Sequence, residues 1–223
     1  TNLKAFGCEI ISTDKLLKKF KQDFSIPTFL EFLEDSAYHP HKMKILSLLT
    51  SPFQKTLLLD SDVIFYKKPK EILNWIKLSK NRNLYAEYFH LPEEVSHPVF
   101  QFRLLLFKLI KLDARCYLNS GIVCFDKKSK SDFKLLDKTA RILYEINHSG
   151  YLAETAEETF MSTLLPNRNS DFLDCSLYRT ILEKSELKQV DKKKAIAIHY
   201  AKNSKNVLYY DTLVTVLLAL IRK

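Results

Sequence analysis

Two aspartates one residue apart, Asp60 and Asp62, close a short apolar run, Thr56-Leu57-Leu58-Leu59. Two carboxylates held ~4 Å apart repel by about 1–4 kcal/mol between water-like and surface-like dielectrics. A hard divalent cation removes that cost and prefers oxygen ligands. In an extended segment the side chains at i and i+2 point to the same side, so the spacing predicts that both carboxylates face one cavity. The chemistry such a pair supports is a metal that holds a diphosphate; the plain alternative is the capping of a strand–turn junction. With 13 aspartates in the chain, the bare spacing arises about once by chance, so the position directly after an apolar strand carries the information.

An apolar strand of this kind is expected to be covered on both faces, as in the parallel sheets of α/β proteins, whose ligands bind beyond the carboxyl ends of the strands. The rest of the chain alternates in the same manner. A short strand is expected around Cys8–Ile11, with helices at Leu16–Phe20, Thr28–Leu33 and His41–Leu49. The strand to Asp60 continues extended over Val63–Tyr66, and Pro69 opens a helix over Lys70–Leu78. A strand at Asn83–Phe89, a loop at Leu91–Pro98 and an apolar helix at Val99–Lys111 follow. Tyr117–Phe125 reads as a strand interrupted by Asn119-Ser120-Gly121, and Ser129–Ile146 as an amphipathic helix. A helix at Glu154–Leu165, a strand at Ala195–His199 and a C-terminal helix at Asn206–Arg222 complete the chain. The fold class expected is α/β, with a mixed, mostly parallel sheet flanked by helices in one domain over residues 1–223.

Composition excludes several classes. Hydrophobic residues make up 46% and charged residues 27% of the 223 residues, the balance of a soluble globular chain with a sizeable core. Gly7, Gly121 and Gly150 are the three glycines, too few for a dinucleotide fingerprint or a P-loop. Any phosphate must then be held by metal and side chains. The net charge of +9 suits an anionic nucleotide, an acidic membrane surface or a nucleic acid alike. No RNA- or DNA-reading motif accompanies it, so no nucleic-acid partner is expected. Cys8, Cys116, Cys124 and Cys175 are widely spaced without a C-x-x-C, which favours a reduced, cytoplasmic chain while an even count leaves disulfides open. No apolar run is long enough to span a bilayer.

Four features stand in order: Lys44 in His41-Lys42-Met43-Lys44-Ile45, the run from Ser51 to Asp62, Tyr117-Leu118-Asn119-Ser120-Gly121-Ile122, and Ile198-His199-Tyr200-Ala201-Lys202-Asn203-Ser204-Lys205. Together they resemble the GT-A-fold glycosyltransferases, most closely the glycogenin and lipopolysaccharide-galactosyltransferase group (family 8) and its relatives. The resemblance covers His41 to Asn206. It implies that Asp60, Ser61 and Asp62 form the family's Asp-x-Asp donor motif, with Asp60 and Asp62 on Mn2+ or Mg2+. His199 would complete the metal shell, Lys205 would contact the diphosphate, and Lys44 would lie near the donor phosphate and sugar. Asn119, Ser120 and Gly121 match a loop beside the donor sugar. Glu157 and Glu158 sit where relatives carry an acidic pair lining the acceptor and donor sites. On this basis Glu157, Glu158 and Asn119 are the expected catalytic residues.

The resemblance implies transfer of a sugar from a UDP- or GDP-sugar to a hydroxyl on a glycan, lipid or protein, with retention of configuration. Retention has two routes, a carboxylate nucleophile or front-face attack in which a phosphate oxygen takes the acceptor's proton. The chain departs from the family at Lys202, where a glycine is usual, and at Asn206-Val207, where Pro-Trp is usual. The base-gripping strand and turn of relatives find no match before Cys8. These departures support the alternative, a non-catalytic glycan- or lipid-binding module on the same fold. A nucleotidyltransferase is a weaker third reading, since it would want a glycine-rich phosphate loop. The C-terminal run Leu213–Ile221 is expected to dock on the domain, with peripheral membrane contact as its alternative. A cytoplasmic, membrane-associated location is expected, or the Golgi lumen in a eukaryote.

Overall fold

The computed structural model describes residues 7–34, 39–78, 81–88, 98–113, 117–127, 133–146, 156–166, 169–183, 185–201, 204–205 and 208. The C-terminal helix expected at Asn206–Arg222, apart from Leu208, together with Lys202 and most of the loop at Leu91–Pro98, lies outside the described residues.

Three helices come first: α1 (Thr13–Asp23), α2 (Pro27–Glu34) and α3 (His39–Thr50). They are followed by β1 (Lys55–Leu59), β2 (Val63–Phe65), α4 (Lys70–Leu78), β3 (Asn83–Glu87), α5 (Pro98–Ile110) and β4 (Leu118–Asp126). The chain continues through α6 (Phe133–Ile146), α7 (Ala156–Leu164), β5 (Ser170–Phe172), β6 (Tyr178–Ile181), a 3-10 turn at Glu186–Gln189 and β7 (Ala197–Tyr200). Helix α4 has the bounds expected from Pro69 and its apolar spacing. Helix α1 is longer than its apolar core because the Ser12 side chain caps it, accepting from the Lys15 N–H at 3.3 Å. The strand expected at Cys8–Ile11 is absent: these residues are irregular and exposed, with no pairing partner among the described strands.

The strands form two mixed sheets, ordered β1-β4-β3-β5 and β2-β7-β6. The α/β class, the mixed sheets and the flanking helices are as expected, but the mostly parallel arrangement is not. Among the described strands β4 runs antiparallel to β1 and β3, and β7 antiparallel to β2; the β3–β5 and β6–β7 pairs alone are parallel. The strand covered on both faces is also β4 rather than β1. β4 is buried along its whole length, while β1 lies at the sheet's edge with Leu57 and Leu59 exposed. An apolar run identifies a strand, not its rank in the sheet.

Side chains alternate across β4 from Ile122 to Phe125, and the irregularity before Ile122 puts Leu118 on the face of Val123. Leu118, Val123 and Phe125 pack into a core with Phe20, Phe29, Leu46, Leu136 and Phe160, beneath helices α1 to α3, α6 and α7. Ile122 and Cys124 face the other way, into a second core with Ile72 and Trp75 of α4 and with Tyr178 and Ala197 of the smaller sheet. No helix among the described residues is long and apolar enough to cross a membrane.

Candidate functional site

β1 ends at Leu59, and the chain turns at once: the Val63 N–H donates to the Asp60 carbonyl at 3.2 Å. Asp60 and Asp62 therefore sit on a turn rather than on the extended segment expected. They converge nonetheless, because both ends of the turn are tied down. The Asp60 N–H donates to the Gly121 carbonyl of β4 at 3.0 Å, and the Tyr200 N–H of β7 donates to the Asp62 carbonyl at 2.9 Å. Ser61, at the apex, is exposed.

His199 arrives from the second sheet, where its register partner is Val63, the residue after Asp62. Its Nε2 stands 3.2 Å from Asp62 Oδ1 and 3.5 Å from Asp60 Oδ2. One ligand atom from each of Asp60, Asp62 and His199 lies within 4.8 Å of the others. Two carboxylate oxygens and an imidazole nitrogen are a donor set that a divalent cation can occupy. Asp62 Oδ1 is buried and meets His199 Nε2 at 3.2 Å, so its lone pairs face the cluster. The residues fit a divalent metal.

Two lysines flank the carboxylates from opposite sides. Lys44 of α3 places Nζ 2.8 Å from Asp60 Oδ2 and 3.0 Å from Glu157 Oε1 of α7, and donates to Ser120 Oγ at 3.3 Å. Burial works against its charge, but Glu157 and Asp60 outweigh burial and hold its pKa above the ordinary lysine value. Lys205 places Nζ 2.9 Å from Asp62 Oδ2 and is otherwise exposed. Burial would raise the Asp62 carboxyl, yet the hydrogen bonds and charges of His199 and Lys205 win and hold it well below the usual carboxylate range. The arrangement concentrates positive charge at two points around an oxygen-rich centre, which suits an anion brought in with a cation.

Asn119, Ser120 and Gly121 lie in strand β4 rather than in the loop or turn expected. The register against β3 jumps at this point, from Tyr85↔Val123 to Ala86↔Asn119. The three residues therefore occupy an irregularity of the strand, a device often found beside active sites. Asn119 Oδ1 accepts from the Gly121 N–H at 3.0 Å and contacts His199 Nδ1 at 3.0 Å. Gly121 is required for space: a Cβ there would stand 2.3 Å from His199 Nδ1 and 2.6 Å from its Cε1.

Glu157 and Glu158 share the first turn of α7 but not their surroundings. Glu157 is buried against Lys44. Glu158 pairs with Arg103 of α5, which is buried, and accepts from the Tyr88 hydroxyl at 2.8 Å. Burial, followed by the Glu158 charge and hydrogen bond, keeps the Tyr88 hydroxyl protonated far above its ordinary range. Tyr88 left no sign in the sequence. Arg103 did leave one: an arginine inside the apolar helix Pro98–Ile110 needs a buried partner.

The Mannosyl_trans3 mannosyltransferase family matches residues 6–84, less than half of the chain but including Lys44, Asp60 and Asp62. Among solved structures the chain is similar to mouse xyloside xylosyltransferase 1 in its apo form, at 15% identity and a TM-score of 0.46, over 85% of this chain and 73% of that one. It is similar to the apo bifunctional glycosyltransferase WbbM at 16% identity and a TM-score of 0.40, over 75% of this chain and 32% of that one. It is also similar to the galactosyltransferase LgtC in complex with donor and acceptor sugar analogs, at 13% identity and a TM-score of 0.38, over 82% and 63%. The chain thus spans less than two thirds of the last two. No curated protein matches it.

Proposed function

We propose that this chain is a metal-dependent glycosyltransferase domain that moves a sugar from a nucleotide-diphosphate donor to a hydroxyl acceptor on a glycan, lipid or protein. The observation that carries the reading is the convergence of Asp60, Asp62 and His199 between two lysines. The mannosyltransferase match over residues 6–84 supports it and makes a mannosyl group the first donor sugar to test.

Asp60, Asp62 and His199 would hold Mn2+ or Mg2+, which supplies Lewis-acid stabilisation of the charge that develops on the leaving diphosphate. Lys205 adds preorganised positive charge for the same oxygens, from a site tethered to Asp62. Lys44 bridges Glu157 and Asp60. In the reaction the bond between the anomeric carbon and the diphosphate oxygen breaks. A bond to the acceptor oxygen forms, and the acceptor's proton leaves to a base. Glu157 is the carboxylate placed for a nucleophilic or sugar-binding role, whereas Glu158 is committed to Arg103 and Tyr88. Ser120 offers a buried hydroxyl that accepts from Lys44, and Ser61 an exposed one at the apex of the turn.

The test is thermal stability with Mn2+ plus UDP, GDP or neither, on the wild type and on Asp60→Ala. Occupancy at 100 times the dissociation constant adds about 2.7 kcal/mol, or roughly 5–10 °C for a domain of this size. A metal-dependent shift with one nucleotide, absent in Asp60→Ala, is expected and names the base. No shift with either nucleotide overturns donor binding and leaves a glycan- or lipid-binding module. Asp62→Ala is expected to abolish sugar transfer while leaving the fold intact.

A further inference from the structure

We propose that Asn119 is a positioning residue that sets the tautomer of His199, keeping its proton on Nδ1 and its Nε2 lone pair directed at Asp60 and Asp62. The inference rests on the metal reading above for its purpose, but not for its geometry.

An amide side chain leaves its oxygen and nitrogen to be assigned from its partners. Here one partner settles the matter. The Gly121 backbone N–H can only donate, and it points at Asn119 Oδ1 from 3.0 Å; turning the amide over would set two donors against each other. With Oδ1 so fixed, the group 3.0 Å away on His199 must also donate, and that group is Nδ1. In its neutral form the imidazole carries one proton, so Nε2 then keeps its lone pair, whereas in the imidazolium Nε2–H donates to Asp62 Oδ1, 3.2 Å away. Nε2 is the nitrogen 3.2 Å from Asp62 Oδ1 and 3.5 Å from Asp60 Oδ2. Asn119 and His199 are both buried, and in that setting water does not compete for the bond. The ring is also seated against Gly121, where a Cβ would overlap it. One face of the ring is thus closed by the missing side chain, and one nitrogen is claimed by the amide.

The consequence is chemical. A histidine that binds a metal through one nitrogen commonly donates its other N–H to a fixed acceptor, which sets orientation and basicity. Asn119 provides such an acceptor while remaining uncharged. An aspartate at this place could accept both bonds as well, whereas leucine could accept neither.

The experiment is long-range 1H–15N NMR of His199 in the metal-free chain, at a pH where the ring is neutral, with the resonance assigned by its loss in His199→Gln. The wild type and Asn119→Asp are expected to show the Nδ1–H form, and Asn119→Leu a mixture. Titration with Mn2+ alone is expected to show affinity near wild type in Asn119→Asp and a loss of about 10–100-fold in Asn119→Leu. An Nε2–H ring in the wild type overturns the proposal without recourse to any variant. So does an Asn119→Leu protein with the wild-type tautomer and affinity. If the wild type shows the Nδ1–H form but binds no Mn2+, the positioning role stands and the metal reading fails.

Discussion

Glu157 and Glu158 are neighbours on one helical turn, yet they belong to different regions of the molecule. Glu157, itself buried, faces the cluster of Asp60, Lys44 and, beyond them, His199. Glu158 faces α5, where it pairs with the buried Arg103 and Tyr88 donates to it. The carboxylate in the first region has an ammonium partner that is shared with Asp60 and one-quarter exposed. In the second region the carboxylate's acceptors are taken by a guanidinium and a phenol, and its charge serves to neutralise a buried arginine. Residue type and helix position are the same for both, so the partners decide the role.

The two regions differ most sharply in stability, at Glu158. Glu158→Ala leaves Arg103 buried without its counter-charge and is expected to cost about 3–5 kcal/mol, read as a melting temperature lower by roughly 6–20 °C. Replacing both partners, as in Arg103→Met with Glu158→Leu, is expected to recover most of that stability, since an apolar pair of similar volume removes the stranded charge. A double variant as unstable as Glu158→Ala would show that the pair does more than neutralise itself.

Glu157→Gln addresses the other region. Sugar transfer is expected to fall about 10²–10³-fold, the usual cost of one preorganised charged or polar group, while the melting temperature falls less than in Glu158→Ala. If Glu158→Gln rather than Glu157→Gln abolished transfer in a stable protein, the division between the two regions would be reversed.

Gly121→Ala probes the site's tolerance for bulk. The added Cβ meets the His199 ring, not a flexible chain end, so Mn2+ affinity measured by calorimetry is expected to drop about 10–100-fold. The smallest effect concerns pH. Folding holds the Asp62 carboxyl below its ordinary range through His199 and Lys205, against the opposing effect of burial. The stability it contributes is therefore complete above the unfolded carboxylate pKa of about 3.9 and is lost as pH falls through the lowered folded value. Lys205→Met removes one of the two causes. Acid unfolding of the metal-free protein followed by circular dichroism should begin at a higher pH in that variant than in the wild type.

What the sequence determined by itself was local. The apolar spacing and Pro69 predicted α4 to the residue, and the helices α2, α3, α5 and α7 within a few residues. The abrupt end of an apolar run located Asp60 and Asp62, and their order with Lys44, Asn119, His199 and Lys205 nominated a set that the fold then gathered in one place. These signals are legible because helix periodicity, capping and turn chemistry act over a few residues. Tertiary structure decided the rest. It made β4 rather than β1 the covered strand, and it ran most described pairs antiparallel. It broke the β3–β4 register at Asn119-Ser120-Gly121, so that the amide and the missing Cβ both meet His199. It also sent two adjacent glutamates to opposite duties. Each of these outcomes depends on which distant backbone or charge lies alongside, and strand pairing uses N–H and C=O groups that nearly every residue carries. No local pattern records that choice; the packing of β4 between two cores does.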